Sequence, residues 1–299
     1  DEVMHNRLGV AFLPLKRPEW DKFAGAVYTI GSDSLMPDGK IIQQPSTHLL
    51  GQNFSKAFDV KFKDDSGKEE YVWQTCYGPA ISRILASVIS THGDDYGLVL
   101  PFSISPVQVV IVPIFNKENE EKIIKEADKI KKDLESSGVR CEIDSSEKRP
   151  GEKYYEWELK GVPFRIEIGE KEIKEKELTL FTRDIRKKEK ISIKQISKIK
   201  NLGEEFDKRL KNKADKFLKD SLAECKSKQE LKKLIEKKKT VKVNFCSIDK
   251  DGEECAKYIE KEVGAEVRGV LADKIEKPVG NCIICGRKAK EVVYIGKSY

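Results

Sequence analysis

A chain of 299 residues with 38% hydrophobic side chains is long enough for two or three domains with real cores. Its net charge of +6, from 57 basic and 51 acidic residues, is compatible with nucleic acid without demanding it, and no apolar run is long enough to span a bilayer. Seven cysteines, four of them after position 245, argue for metal chemistry in a reducing compartment, and the polar start DEVMHNRLGV carries no secretory signal, so a cytoplasmic protein is expected.

Residues 10–15 read as a strand entering a sheet that already exists, which points to the carboxy-terminal portion of a longer protein. Residues 16–26 are amphipathic and end in small side chains. Strands are predicted at 27–30, 40–43 and 69–74, with a turn at Met36-Pro37-Asp38-Gly39, so these pieces form an antiparallel meander. The string Gln43-Gln44-Pro45-Ser46-Thr47-His48 is dense in hydrogen-bonding groups, as a ligand pocket requires. Ser46 or Thr47 is expected to cap a helix N-terminus, itself a good place for phosphate.

Residues 76–101 run from Tyr77-Gly78-Pro79 into a predicted buried helix with Ile81, Leu85 and Ile89 on its stripe, stopped at His92-Gly93-Asp94. Arg83 stands in its first turn. A buried or half-buried guanidinium needs an anion, either a carboxylate or a phosphate gripped bidentately.

The apolar run at 107–115 predicts a buried strand. A charged helix at 118–137 ends at Gly138, and a strand at 139–144 completes a βαβ unit with parallel strands. A short helix at 153–160 stops at Gly161, and strands follow at 162–168 and 177–181. In this segment Glu158 and Lys160 could form a solvated helix pair, while Lys153 and the run Arg186-Lys187-Lys188 are candidates for phosphate contact. Two charged helices, 202–224 and 228–236, lead to Cys246, Cys255, Cys282 and Cys285. Cys282-Ile283-Ile284-Cys285-Gly286 is a zinc knuckle, whereas eight residues between Cys246 and Cys255 exceed the common pair spacing. On spacing alone the union of all four in one metal site stays open, the alternative being four reduced cysteines in a small core.

Tyr77-Gly78 with Ser82-Arg83 resembles motif 3 of class II aminoacyl-tRNA synthetases, and His92-Gly93-Asp94 with Gly97-Leu98-Val99-Leu100-Pro101 resembles the prolyl-tRNA synthetases in particular. The segment Gln43 to Phe54 is similar to that family's Gln-x-x-Thr-x-His-x-Leu-Gly-Gln-Asn-Phe. Ser46 stands where the family has Thr, and Gln44-Pro45 replaces a small, glycine-rich pair. The resemblance extends through Trp157-Glu158-Leu159-Lys160-Gly161-Val162-Pro163-Phe164-Arg165 and the terminal cysteines, where the archaeal and eukaryotic type carries a four-cysteine domain.

The resemblance implies a multidomain α+β and α/β protein. Residues 1–100 would be the second half of a class II antiparallel-sheet catalytic domain, 101–200 a mixed α/β anticodon-binding domain, and 201–299 a small α/β zinc-bearing domain. It implies proline–tRNA ligase activity: prolyl-adenylate formation from proline and ATP with Mg2+, then transfer to tRNA(Pro), by a homodimer. The alternative is a non-catalytic RNA-binding or regulatory paralogue. Gln43, Ser46 and Arg83 would face ATP, with Arg83 catalytic. His48, Trp20, Phe23 and Gly78 would face proline. Glu158, Lys171 and Arg165 would read the anticodon, Cys246, Cys255, Cys282 and Cys285 would hold structural Zn2+, and the Tyr299 carboxylate would fold back near the active site. The family's motif 1, motif 2 arginine and Thr-x-Glu loop would precede residue 1.

Overall fold

The computed structural model describes residues 1–299. After a helical turn at Glu2–Arg7, the chain enters β1 (Leu13–Lys16), β2 (Tyr28–Leu35) and β3 (Lys40–Gly51), an antiparallel meander. The β2–β3 turn is the one read from the sequence. Gly39 takes φ +87°, which a side chain would resist, and the Asp38 carboxylate accepts from the Lys40 N–H at 3.0 Å. Short α1 (Asn53–Ala57) and the small hairpin of β4 (Lys61–Lys63) and β5 (Glu69–Tyr71) precede β6 (Gln74–Gly78), which pairs with β3. The single strand expected at 69–74 is thus two strands in different sheets.

Two expectations fail here. Ser46 and Thr47 cap no helix: they lie within β3, whose backbone groups are taken by β2 on one side and β6 on the other. The helix after β6, α2 (Ile81–His92), is not buried along its stripe, since Ile81, Leu85 and Ile89 are 80%, 55% and 40% exposed. Amphipathic spacing marks an apolar stripe but does not supply a neighbour for it.

The second sheet has the order β11-β10-β9-β7-β8. Within it β7 (Val109–Pro113) lies between two parallel neighbours and is fully buried, as its unbroken apolar run requires. The amphipathic α3 (Glu120–Ser136) crosses to the parallel β8 (Cys141–Ile143), so the predicted βαβ unit is present. Then come α4 (Pro150–Leu159), β9 (Phe164–Ile168, parallel to β7), α5 (Glu170–Glu175), β10 (Glu177–Thr182) and β11 (Lys187–Ser192). Ala127, Ile130 and Leu134 of α3 pack with Val109, Ile111, Phe164 and Ile166. Burying side chains of this size contributes roughly 1.5–3 kcal/mol each.

The long α6 (Ile199–Ser221) leads to β12 (Leu222–Glu224), α7 (Lys228–Glu236), β13 (Thr240–Phe245), α8 (Glu253–Val263), β14 (Glu266–Leu271) and β15 (Glu291–Ser298). These strands join the amino-terminal meander in one sheet of order β12-β13-β15-β14-β1-β2-β3-β6. β15 pairs additionally with β3, so β15, β14, β1, β2 and β3 close in a ring. The three consecutive segments expected from the sequence are therefore organised as two compact units. One comprises Asp1–Val10 and Val88–Asp215, the other Ala11–Ser87 and Lys216–Tyr299. Strand pairing between the first and last segments is the reason.

Candidate active site

A cavity of about 450 Å³ is lined by Gln43 of β3, Ser82 and Arg83 of α2, Arg268 of β14, and Ser298 and Tyr299 at the end of β15. Arg83 is exposed, not half-buried as expected. Its Nη1 donates to the Gln43 backbone carbonyl at 3.4 Å, and no carboxylate pairs with it, which leaves the guanidinium free for an anion. The turn that carries Arg83 is tied to β3: the Gln44 amide donates to the Ser87 hydroxyl, which donates to the Arg83 carbonyl at 2.9 Å.

The Gln44-Pro45 pair is a β-bulge. Across β2, Gln43 pairs with Asp33 and Ser46 with Gly31, so Gln44 and Pro45 together oppose Ser32. Proline suits a bulge because it has no N–H to give a ladder. In an unbroken strand, positions 43 and 46 point to opposite faces. The bulge resets the alternation, and Gln43, Ser46 and His48, opposite Asp33, Gly31 and Thr29, come to one face.

His48 is buried, with one ring nitrogen 2.9 Å from the Thr29 hydroxyl and the other 2.9 Å from that of Ser46. Burial pushes its imidazole below the ordinary histidine value, which keeps it neutral. Phe23 stacks at a tilt on it, centroids 4.9 Å apart. Gly78 pairs with Ser46 on the other side, and a side chain added there would meet open space. Trp20 is not at this wall: it packs against the core formed by α7, α8 and β13–β15, and lines another cavity with Asp21 and Glu266. Arg268, which lines the first cavity, escaped the sequence reading. Its only local signal is a charge set among Val267, Gly269, Val270 and Leu271.

In the other unit, Glu158 and Arg165 meet, whereas Lys171 lies apart. Arg165 donates to Glu158 at 3.1 Å and to Glu167 at 3.1 Å, and its guanidinium lies between the rings of Tyr154 and Phe181. Arg186 reaches Glu158 at 2.7 Å and Lys188 reaches Glu167 at 2.9 Å. Glu158 is thus no solvated partner of Lys160, which pairs with Glu156 instead. Lys171 is exposed on α5, 3.9 Å from Glu175. Lys153 cannot meet phosphate, being buried with its ammonium on the Asp144 carbonyl at 2.8 Å.

The thiols of Cys246, Cys255, Cys282 and Cys285 all lie within 4.8 Å of one another. Cys246 follows β13 and Cys255 is on α8, so a helix folding back on its strand closes the wide sequence gap. Gly286, at φ +75°, turns the knuckle, with its N–H on the Cys282 carbonyl at 3.0 Å. Burial raises the thiols of Cys246 and Cys255. At Cys285, hydrogen bonds from Arg287 and neighbouring thiols outweigh burial and lower the thiol to about 6. Four converging thiols, one readily ionised, fit a tetrahedral zinc ion.

Residues 108–202 match the family described as "Anticodon binding domain", and residues 228–299 the one described as "Prolyl-tRNA synthetase, C-terminal". The chain is 43% identical over its whole length to a proline–tRNA ligase of Thermofilum pendens and 43% identical over 98% of its length to that of Ignicoccus hospitalis. It covers 62% and 61% of those relatives, so it spans about three-fifths of their length. Its fold is similar to the Giardia lamblia prolyl-tRNA synthetase in complex with prolyl-adenylate (TM-score 0.94, 34% identity, all of this chain and 64% of that one). It is similar as well to the Cryptosporidium parvum enzyme complexed with L-proline and AMP (TM-score 0.90, 33% identity, all of this chain and 64% of that one). The likeness runs through both units and the terminal cysteine region, and over its whole length the chain is similar to the carboxy-terminal part of prolyl-tRNA synthetases.

Proposed function

We propose that this chain is part of a proline–tRNA ligase that activates proline with ATP and transfers it to tRNA(Pro). The observation that carries the reading is the bulge at Gln44-Pro45. It sets Gln43, Ser46 and His48 on one face of β3, with the unpaired Arg83 against Gln43. Gln43 and Ser46 offer hydrogen bonds to ATP. Arg83 offsets the charge that builds on the α-phosphorus, where a fixed cation needs no reorganisation. Mg2+ neutralises the remaining phosphate charge. Neutral His48, Phe23 and the open space over Gly78 form the wall for the small proline ring.

In the other unit Glu158, Lys171 and Arg165 are assigned to reading guanine edges of the anticodon, with Arg186 assigned to backbone phosphate. The four cysteines hold a structural Zn2+. The full protein acts as a cytoplasmic homodimer. No helix is long and apolar enough to cross a membrane.

The test is ATP–pyrophosphate exchange against all twenty amino acids with the full-length protein. Exchange stimulated by proline supports the reading. A protein that binds tRNA but exchanges with no amino acid overturns it.

A further inference from the structure

Two residues that line the cavity, Gln43 and Arg268, also belong to a buried polar cluster centred on Arg17 and Asp33. Arg17, Asp33 and Arg268 are 3%, 2% and 5% exposed. Arg17 uses both donors of each terminal nitrogen. Nη1 reaches Asp33 Oδ2 at 2.9 Å and the Arg268 carbonyl at 2.7 Å, Nη2 reaches Asp33 Oδ1 at 2.5 Å and Gln43 Oε1 at 3.0 Å, and Nε lies 3.7 Å from Asp21. Arg268 in turn donates from Nε to Asp33 Oδ2 at 2.8 Å and from Nη1 to Glu266 at 2.5 Å.

Gly31 makes room for this arrangement. Its φ is not positive, so backbone freedom is not why glycine stands there; a Cβ at 31 would come within 2.3 Å of Arg17 Nη2. A guanidinium has donors and no acceptor, so only the oxygen end of the Gln43 amide can face it. The NH2 end is thereby turned away from Arg17. Without that partner the amide could flip and offer either end.

We propose that Arg17, held by Asp33 and Arg268, is a positioning residue that fixes the Gln43 amide with its NH2 as the donor presented to the nucleotide. The inference rests on the adenylate-forming reading above. Lysine cannot substitute, because a point charge cannot grip both Asp33 oxygens and still reach Gln43.

The experiment measures KM for ATP and for proline in pyrophosphate exchange, together with Tm, in the full-length protein and its Arg17→Lys, Gln43→Glu, Gln43→Ala and Arg17→Lys/Gln43→Ala variants. Arg17→Lys is expected to raise KM for ATP about tenfold, the loss of one oriented hydrogen bond, while KM for proline stays within about twofold. In the Gln43→Ala background it should add less than about twofold, because its route through Gln43 is gone. Gln43→Glu keeps an acceptor for Arg17, so Tm should hold while KM for ATP rises. It decides the matter if Arg17→Lys fails to fold. Equal effects on ATP and proline, additivity with Gln43→Ala, or an unchanged ATP KM in Gln43→Glu would overturn the positioning role alone. Absence of proline-dependent exchange in the unmodified protein would overturn both readings.

Discussion

Ser298 on β15 sits directly opposite Ile41 on β3 in a parallel ladder, and just beyond this pair Tyr299 and Gln43 line one cavity. The last strand therefore helps to build the wall of the pocket, with the Lys40 ammonium 4.9 Å from the Tyr299 ring centroid. Deleting residues 297–299 is expected to raise KM for ATP roughly tenfold, equivalent to about 1.4 kcal/mol of lost contact. Steady-state exchange kinetics check it, and an unchanged KM would remove Tyr299 from the pocket's function.

Arg83→Ala should lower kcat for proline-dependent exchange by about 10²–10³-fold, the usual cost of removing a preorganised charge stabiliser. The guanidinium is exposed and holds only one long hydrogen bond, so Tm should be unaffected. A fall in Tm matching the fall in rate would instead assign Arg83 a structural task.

Asp33 gives stability a definite acid limb. Burial works against its charge, but Arg17 and Arg268 more than compensate and hold the carboxyl below the usual range. The unfolded chain therefore takes up a proton at this site at a higher pH than the folded one. Stability from Asp33 is complete above about pH 4 and is lost as pH falls through the depressed folded value. Asp33→Asn should cost about 3–5 kcal/mol at neutral pH, since it strands two buried guanidinium groups, and should flatten the acid limb. Urea melts from neutral to acid pH give the comparison; an acid limb of unchanged steepness would contradict it.

Metal removal should unfold the region around the four cysteines. Apparent zinc binding in small modules is worth roughly 10–16 kcal/mol, so Cys282→Ser or a strong chelator should lower Tm and abolish stoichiometric zinc in elemental analysis. A protein purified without zinc and equally stable would refute the metal site.

Arg186→Ala should weaken tRNA binding and reduce the slope of log affinity against log salt by about one, as expected if Arg186 meets a phosphate. An unchanged salt slope would confine Arg186 to its pairing with Glu158.

How far the sequence could be read follows from the range of the forces involved. The buried β7, the amphipathic α3 and the Met36-Pro37-Asp38-Gly39 turn were legible because each is decided by neighbours a few residues away. The Cys282–Cys285 knuckle was legible for the same reason. Its union with Cys255 required α8 to fold back on β13.

Residue types and local periods thus determined which pieces are strands and helices and which side chains carry chemistry. Tertiary pairing decided the rest. Only the β2–β3 register showed that Gln44-Pro45 is a bulge and that Gln43 shares a face with Ser46 and His48. Only burial showed that Lys153 is locked on Asp144 while the stripe of α2 lies open. Only the joining of β14 to β1 brought Arg268 to Asp33, across a gap that no local pattern spans. A charge finds its partner through the fold, because pairing is settled by distance in space and by desolvation, and sequence separation constrains neither.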